Sequence, residues 1–296
     1  MERIFKTILK SFVLQFMILL IALLICFFVM INLPPKEMTD SSISGFQFRS
    51  QTWSGNIRIT EDTTFLPWTT LTVLPGTKVL FERTNQDNMN QDNINETDWT
   101  EWADDFIKSH NDPTGKKGYL RTHYFLYGKI NATGTEDATI IFTSAQSMPE
   151  YADWDQLILI DGSILDNVEV SFSHNGVNVN GNNLYIGNSK IHDSLWSCVD
   201  IFSTGNTIEN NEIYHCWHQG IGVKVKGPNT IKNNYVHDSQ LSVNCENNAN
   251  PTIEDSRFVA APLSPGCKQA SNNTNIERSR NVKGGTYDGI LIYPAE

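Results

Sequence analysis

Apolar residues recur along this chain in a short phrase that opens and closes on an aliphatic or aromatic side chain, with polar residues between. Its copies are Leu165-Asp-Asn-Val-Glu-Val170, Ile186-Gly-Asn-Ser-Lys-Ile191, Ile208-Glu-Asn-Asn-Glu-Ile213, Ile231-Lys-Asn-Asn-Tyr-Val236 and Ile253-Glu-Asp-Ser-Arg-Phe258. They return every 21 to 23 residues, and a frayed sixth begins at Ile276. A fixed period of this length marks one supersecondary unit stacked on itself. The phrase reads as two short strands around an Asn-rich corner, because Asn tolerates the left-handed backbone region and stacked amides bond to one another. A second strand follows, as in Gly176-Val-Asn-Val, Cys198-Val-Asp-Ile and Gly220-Ile-Gly-Val-Lys-Val. Alternation of period two puts Val177, Val179, Val199, Ile201, Ile221, Val223 and Val225 inside and turns Asn178, Asp200, Gly222 and Lys224 outward. The expected fold is an all-β parallel β-helix. A β-sandwich is the alternative, but sandwiches do not repeat their sequence.

The N-terminus follows another pattern. Residues 12–31 are almost wholly apolar, with Gln15 the one strongly polar side chain, and are long enough to cross a bilayer. Arg3, Lys6 and Lys10 precede them, whereas Lys36 beyond is offset by Glu37 and Asp40, so the N-terminus is expected in the cytoplasm. A cleaved signal peptide is the rival, with a shorter apolar core and a small-residue cleavage site that this segment lacks. The expected organisation is a cytoplasmic tail over 1–11, a signal anchor over 12–33, a stalk over 34–50 opening on Pro34-Pro35, and a β-helix over 51–296. That places the β-helix on the extracytoplasmic side of a cytoplasmic membrane. The β-helix carries a polar insertion at 84–118, in which Trp99, Trp102, Phe106 and Ile107 could line one side of a short helix.

Strand alternation also marks Trp53-Ser-Gly-Asn-Ile, Leu71-Thr-Val-Leu-Pro-Gly-Thr-Lys-Val-Leu-Phe81, Gly128-Lys-Ile-Asn-Ala-Thr-Gly-Thr135, Ile140-Ile-Phe-Thr-Ser144 and, after them, Asp153-Trp154. With the Asn-Asn coils, these motifs resemble right-handed parallel β-helix proteins of the pectate-lyase-like superfamily, over essentially all of 51–296. The resemblance implies the handedness; for function it spans lyases, hydrolases, epimerases, adhesins and proteins with no known activity. It reaches no single enzyme, because the paired aspartates and Gly-His-Gly of polygalacturonases and the Asp-Pro-His of mannuronate epimerases are missing. The Ca²⁺-binding carboxylates with an Arg base that mark pectate lyases are not located either. Ca²⁺ therefore stays open as a cofactor, and no motif requires one.

A formal net charge of −11 over 296 residues and the lack of a basic patch set nucleic acid aside as a partner. Candidate chemistry gathers in the repeats, where five of the seven histidines fall between 174 and 237. Just past successive corner strands come His192-Asp193, Tyr214-His215 and His237-Asp238, and at the same period His174, Trp196, His218 and Gln240. Asp200, His215, His218 and Lys224 are the candidate catalytic set, since His, Asp and Lys within reach of one another suit acid–base chemistry on a sugar. His174, His192, Asp193, Trp196, Trp217, His237 and Asp238 are the candidate substrate-binding set. A metal reading would need His192, His215, His218 and His237 to converge, without any tight ligand spacing to support it. The bland reading of the columns is a structural ladder of identical side chains. Cys245 and Cys267 stand one coil apart, within reach of a disulfide or as two inward thiols. Asn95, Asn131 and Asn272 lie in glycosylation sequons. Two functions follow: an anchored extracytoplasmic β-helix that binds, cleaves or epimerises a polysaccharide, or a non-catalytic adhesive rod that self-associates or takes a protein partner through its last coil, residues 288–296.

Overall fold

The structure is a computed structural model, which describes residues 2–83, 124–259, 263–264, 266–267, 270–271 and 274–276. The expected insertion at 84–118, the sequons at Asn95 and Asn272 and the last coil at 288–296 lie outside the described residues. One helix, Glu2–Ile31, is followed by strands that pair in parallel throughout.

The strands stack on three faces. The first face climbs from Lys36–Thr39 through Gln51–Ser54 and Thr70–Val73 to Ile164–Asp166, Tyr185–Gly187, Asn206–Glu209, Asn229–Lys232 and Thr252–Glu254. The second includes Ile140–Ser144, Val168–Ser171, Lys190–Ser194, Glu212–Cys216, Tyr235–His237 and Arg257–Val259. The third runs through Leu157–Leu159, Val177–Val179, Ser197–Ile201, Gln219–Val223 and Leu241–Cys245. Each turn of chain visits the faces in order, so equivalent residues of successive coils sit side by side.

The repeated phrase is the corner between the first two faces. Its third residue, Asn167, Asn188, Asn210, Asn233 or Asp255, holds φ between 49° and 58°, the left-handed region that Asn and Asp accept. The next residue turns inward and caps the neighbouring coil. Asn211 Nδ2 donates to Asn234 Oδ1 at 3.0 Å, and the backbone N–H groups of Ser189 and Asn211 donate to the side-chain oxygens of Asn211 and Asn234. Buried amides thereby satisfy backbone groups that the corner would otherwise strand.

The core is continuous. Val177, Val179, Val199, Ile201, Ile221 and Val223 are fully buried, as alternation predicts. Val225 is not: the strand stops at Val223 and the chain bends away, leaving Val225 half-buried. The segment expected as a stalk is also corrected. Lys36–Thr39 and Ser42–Gln47 pair with Gln51–Ser54 and Asn56–Phe65, so they form the first coil. Its polar composition misled because one side of a terminal coil needs no apolar partner.

Two disulfides tie neighbouring coils: Cys245–Cys267, and Cys198–Cys216 with Cα atoms 5.4 Å apart. The second is 18 residues apart in sequence, less than a coil, so counting whole periods does not find it. Removing it with Cys198→Ala and Cys216→Ala is expected to cost about 3 kcal/mol, the entropy of opening a loop of that size. Chemical denaturation checks this; a reduced wild type as stable as the oxidised form would refute it.

Candidate functional site

At the ends of four second-face strands the chain turns toward the third face through another left-handed residue. Phe172, Asp193, His215 and Asp238 hold this place, with φ from 49° to 60°. The residues just before them share a register, so His192, Tyr214 and His237 lie one above another. Their rings stack at 4.6 Å and 4.9 Å, within 7° of parallel, close to the strand spacing that dictates the column.

Carboxylates edge this ring column. His192 Nδ1 lies 2.7 Å from Asp193 Oδ2, and Glu169 Oε1 is 3.7 Å from its Nε2. Asp193 also takes His215 Nδ1 at 3.1 Å and the Tyr151 hydroxyl at 3.2 Å. One coil on, His237 Nδ1 lies 2.8 Å from Asp238, with Glu212 3.6 Å from its Nε2. Burial disfavours a charged His192, but the facing carboxylates of Asp193 and Glu169 outweigh it and raise its pKa to about 9. Burial likewise opposes a charged Asp193, yet His192 and His215 hold it well below the usual carboxylate range. Burial, with Asp193 adding to it, pushes Tyr214 up to about 12. These charges are locked in pairs and are poorly placed to exchange protons near neutrality.

The corner beyond them carries a second column. The Trp196 and His218 rings stack at 4.2 Å and 10°, both half-buried. His174, buried beneath Trp196 in this column, lies 3.4 Å from Asp155. Trp217 is half-buried, and its backbone N–H donates to the Ser194 carbonyl at 3.1 Å.

On the third face sits Asp200. Alternation points it outward, yet it is only 2 % exposed. The reason is Gly222, its neighbour in register: a Cβ there would lie 2.1 Å from Asp200 Oδ1 and 2.2 Å from Gln219 Nε2. The missing side chain lets carboxylate and amide fold over that position, and Gln219 Nε2 donates to Asp200 at 2.8 Å. The polar row continues through Asn244, which donates to Gln219 Oε1 and to Glu246, and Lys224 lies 3.7 Å from Asp200 and 2.5 Å from Glu246. Burial raises the pKa of Asp200, and Lys224 and Gln219 offset this only in part.

The candidate catalytic set therefore divides. Asp200 meets Lys224, His215 meets Asp193, and His218 stacks on Trp196, because each belongs to a different position around the corner. Among the described residues no group of three or more His, Cys, Asp or Glu side chains is arranged to hold a metal ion. His192 and His237, expected to converge in the metal reading, are parted by the Tyr214 ring.

Several participants were not singled out from the sequence. Glu169 and Glu212 share a register on either side of Lys190, a legible signal once the second-face strands are aligned. Gln219 and Asn244 sit in the third-face strands. Tyr151 and Asp155 come from a segment outside the repeat. That segment is held by Asp153, which accepts from Arg83 Nε at 2.7 Å and Ser144 Oγ at 2.5 Å.

No curated protein and no solved structure matches this sequence significantly. The family model described as right-handed beta helix region matches residues 129–292, more than half of the chain and the span that holds every candidate residue. The match agrees with the parallel three-faced coil, and the chain belongs to the right-handed β-helix family.

Proposed function

We propose that the N-terminal helix anchors this chain in the cytoplasmic membrane, that its β-helix lies on the extracytoplasmic side, and that the β-helix binds an extracellular polysaccharide. The apolar stretch Phe12–Val29 has the length and composition for one span. Basic residues precede it, which favours an inside N-terminus. Two disulfides fit an oxidising compartment.

The observation that carries the binding reading is the half-buried Trp196–His218 stack, followed along the third face by a polar row that surfaces at Lys224, Asn244 and Glu246. A partly exposed aromatic stack bordered by polar groups suits a pyranose: its C–H groups pack along the ring edges and its hydroxyls bond to Asn244, Lys224 and Glu246, the members of the row that reach the surface. Asp200, with its raised pKa beside Lys224, is the group we assign to proton transfer for any turnover, which requires Gln219 to swing off it.

The test is a polysaccharide panel with and without Ca²⁺, reading retention and, by mass spectrometry, products. Unsaturated fragments would mark a lyase, hydrated ones a hydrolase, and an unchanged chain a binder or an epimerase. Trp196→Ala and His218→Ala are each expected to weaken binding about tenfold, the worth of one stacking contact. Retention unchanged in both variants, or no retention across the panel, would refute the proposal.

The adhesive-rod reading has support of its own. The His192–Asp193–His215 group satisfies itself within the protein, which suits a structural ladder. Failure of all glycan binding would leave that reading in place.

A further inference from the structure

We infer that the first two coils dock on the membrane surface where the helix leaves the bilayer, with Phe46 and Phe48 of the first and Trp68 of the second as lipid-facing anchors; this rests on the anchoring proposed above. The link between helix and coil is short. The helix ends at Ile31, and Lys36 already opens the first strand, its N–H donating to the Ser50 carbonyl at 2.8 Å. Between them Arg49 Nε donates to the Pro34 carbonyl at 2.5 Å, fastening the connection to the coil. Four residues span at most about 14 Å, so the coil cannot stand away from the bilayer.

The helix also touches the second coil directly. Phe27, inside the apolar stretch, packs edge-on against Trp68 with ring centroids 5.4 Å apart. Trp68 is therefore held at the depth where the apolar stretch ends, the level at which tryptophan is enriched in membrane proteins. The link and the first coil carry exposed apolar side chains that the core does not use: Phe46 at 66 %, Phe48 at 56 % and Leu33 at 43 %. Gln47 pairs with Phe65, so Phe48 falls in step with Leu66, two residues before Trp68.

The register column through Phe46 shows that this is specific to the first coil. Outward positions in step with it are Thr64, Tyr127, Ile158, Asn178 and Asp200. The most exposed aromatic stands on the coil nearest the helix, and polar groups stand farther along. The first coil also carries the open edge of the solenoid: among the described residues Ser42–Gln47 pairs on one side only, with a register shift between Ile43 and Gly45. An edge of this kind requires a cover, and the headgroup layer supplies it.

The test uses the full chain in phosphatidylcholine vesicles brominated near the headgroup end of the acyl chains. Tryptophan emission should be quenched, and Trp68→Phe should remove the quenched component. Phe46→Ser with Phe48→Ser should reduce it while leaving the protein in the membrane. Quenching that is absent, or identical in wild type and Trp68→Phe, in protein that resists alkaline carbonate extraction would overturn the docking and leave the anchor standing, the patch then facing a protein. Release of the chain by carbonate would overturn the anchor itself, and the docking with it.

Discussion

Trp154→Ala is expected to destabilise the β-helix by about 3–5 kcal/mol, the usual cost of deleting a large buried aromatic ring. Trp154 is fully buried and stacks on Phe81 with centroids 4.0 Å apart, and its Nε1–H donates to the Ser171 carbonyl at 2.8 Å. The damage should reach the candidate site. Trp154 lies between Asp153, which fastens its segment to Arg83 and Ser144, and Asp155, which faces His174. Its backbone carbonyl also accepts from the His174 N–H at 2.7 Å. Trp154→Phe keeps a ring in the stack and gives up the hydrogen bond, so a loss nearer 1–2 kcal/mol is expected. Urea denaturation of the two variants decides it, since equal losses would mean that the ring stack contributes little.

The second large effect belongs to Asp193. Asp193→Asn removes the charge shared by His192, His215 and Tyr151, and about 2–3 kcal/mol should go with it, the range for hydrogen bonds to a part-buried ion. Its signature is in the pH profile. The folded state raises the pKa of His192 from 6.5 to about 9, so its contribution is complete below 6.5 and lost as pH rises through 9. The folded state lowers the pKa of Asp193, so its contribution is complete above its ordinary 3.8 and lost as pH falls below that. Both contributions are whole only between about pH 4 and 6.5. Wild-type stability should fall on the alkaline side between 6.5 and 9, and Asp193→Asn should flatten that limb by leaving His192 with Glu169 as its remaining carboxylate. Urea midpoints across this range are the measurement. Parallel profiles for the two proteins would mean that the pair does not hold the His192 proton.

Much of this was legible in the chain because a solenoid writes its geometry into its period. Asn167, Asn188, Asn210 and Asn233 recur where one corner needs a left-handed residue, and Asn211 and Asn234 follow them as the ladder that fills it. Columns of His192, Tyr214 and His237 could likewise be placed from spacing alone. Their chemistry could not. Spacing says that His215 follows Tyr214; it does not say that the corner turns His215 onto Asp193. Each candidate's own partner therefore had to come from the structure.

Contacts made outside the period were invisible for the same cause. Tyr151 and Asp155 reach the columns from a segment with no repeat, and the Cys198–Cys216 bridge crosses a corner at a distance that is no whole coil. Asp200 was placed outward by its alternation, and outward it is. Its burial depends on Gly222 one coil away, which lets Gln219 close over it.

The chain by itself determined the apolar helix, the parallel coil, the inward aliphatic positions other than Val225 and the residues that share each column, because all of these follow from local periodicity. The tertiary structure decided which neighbours share a proton, which outward carboxyl is buried, and which coil begins the rod, because those depend on side chains from different coils meeting in space.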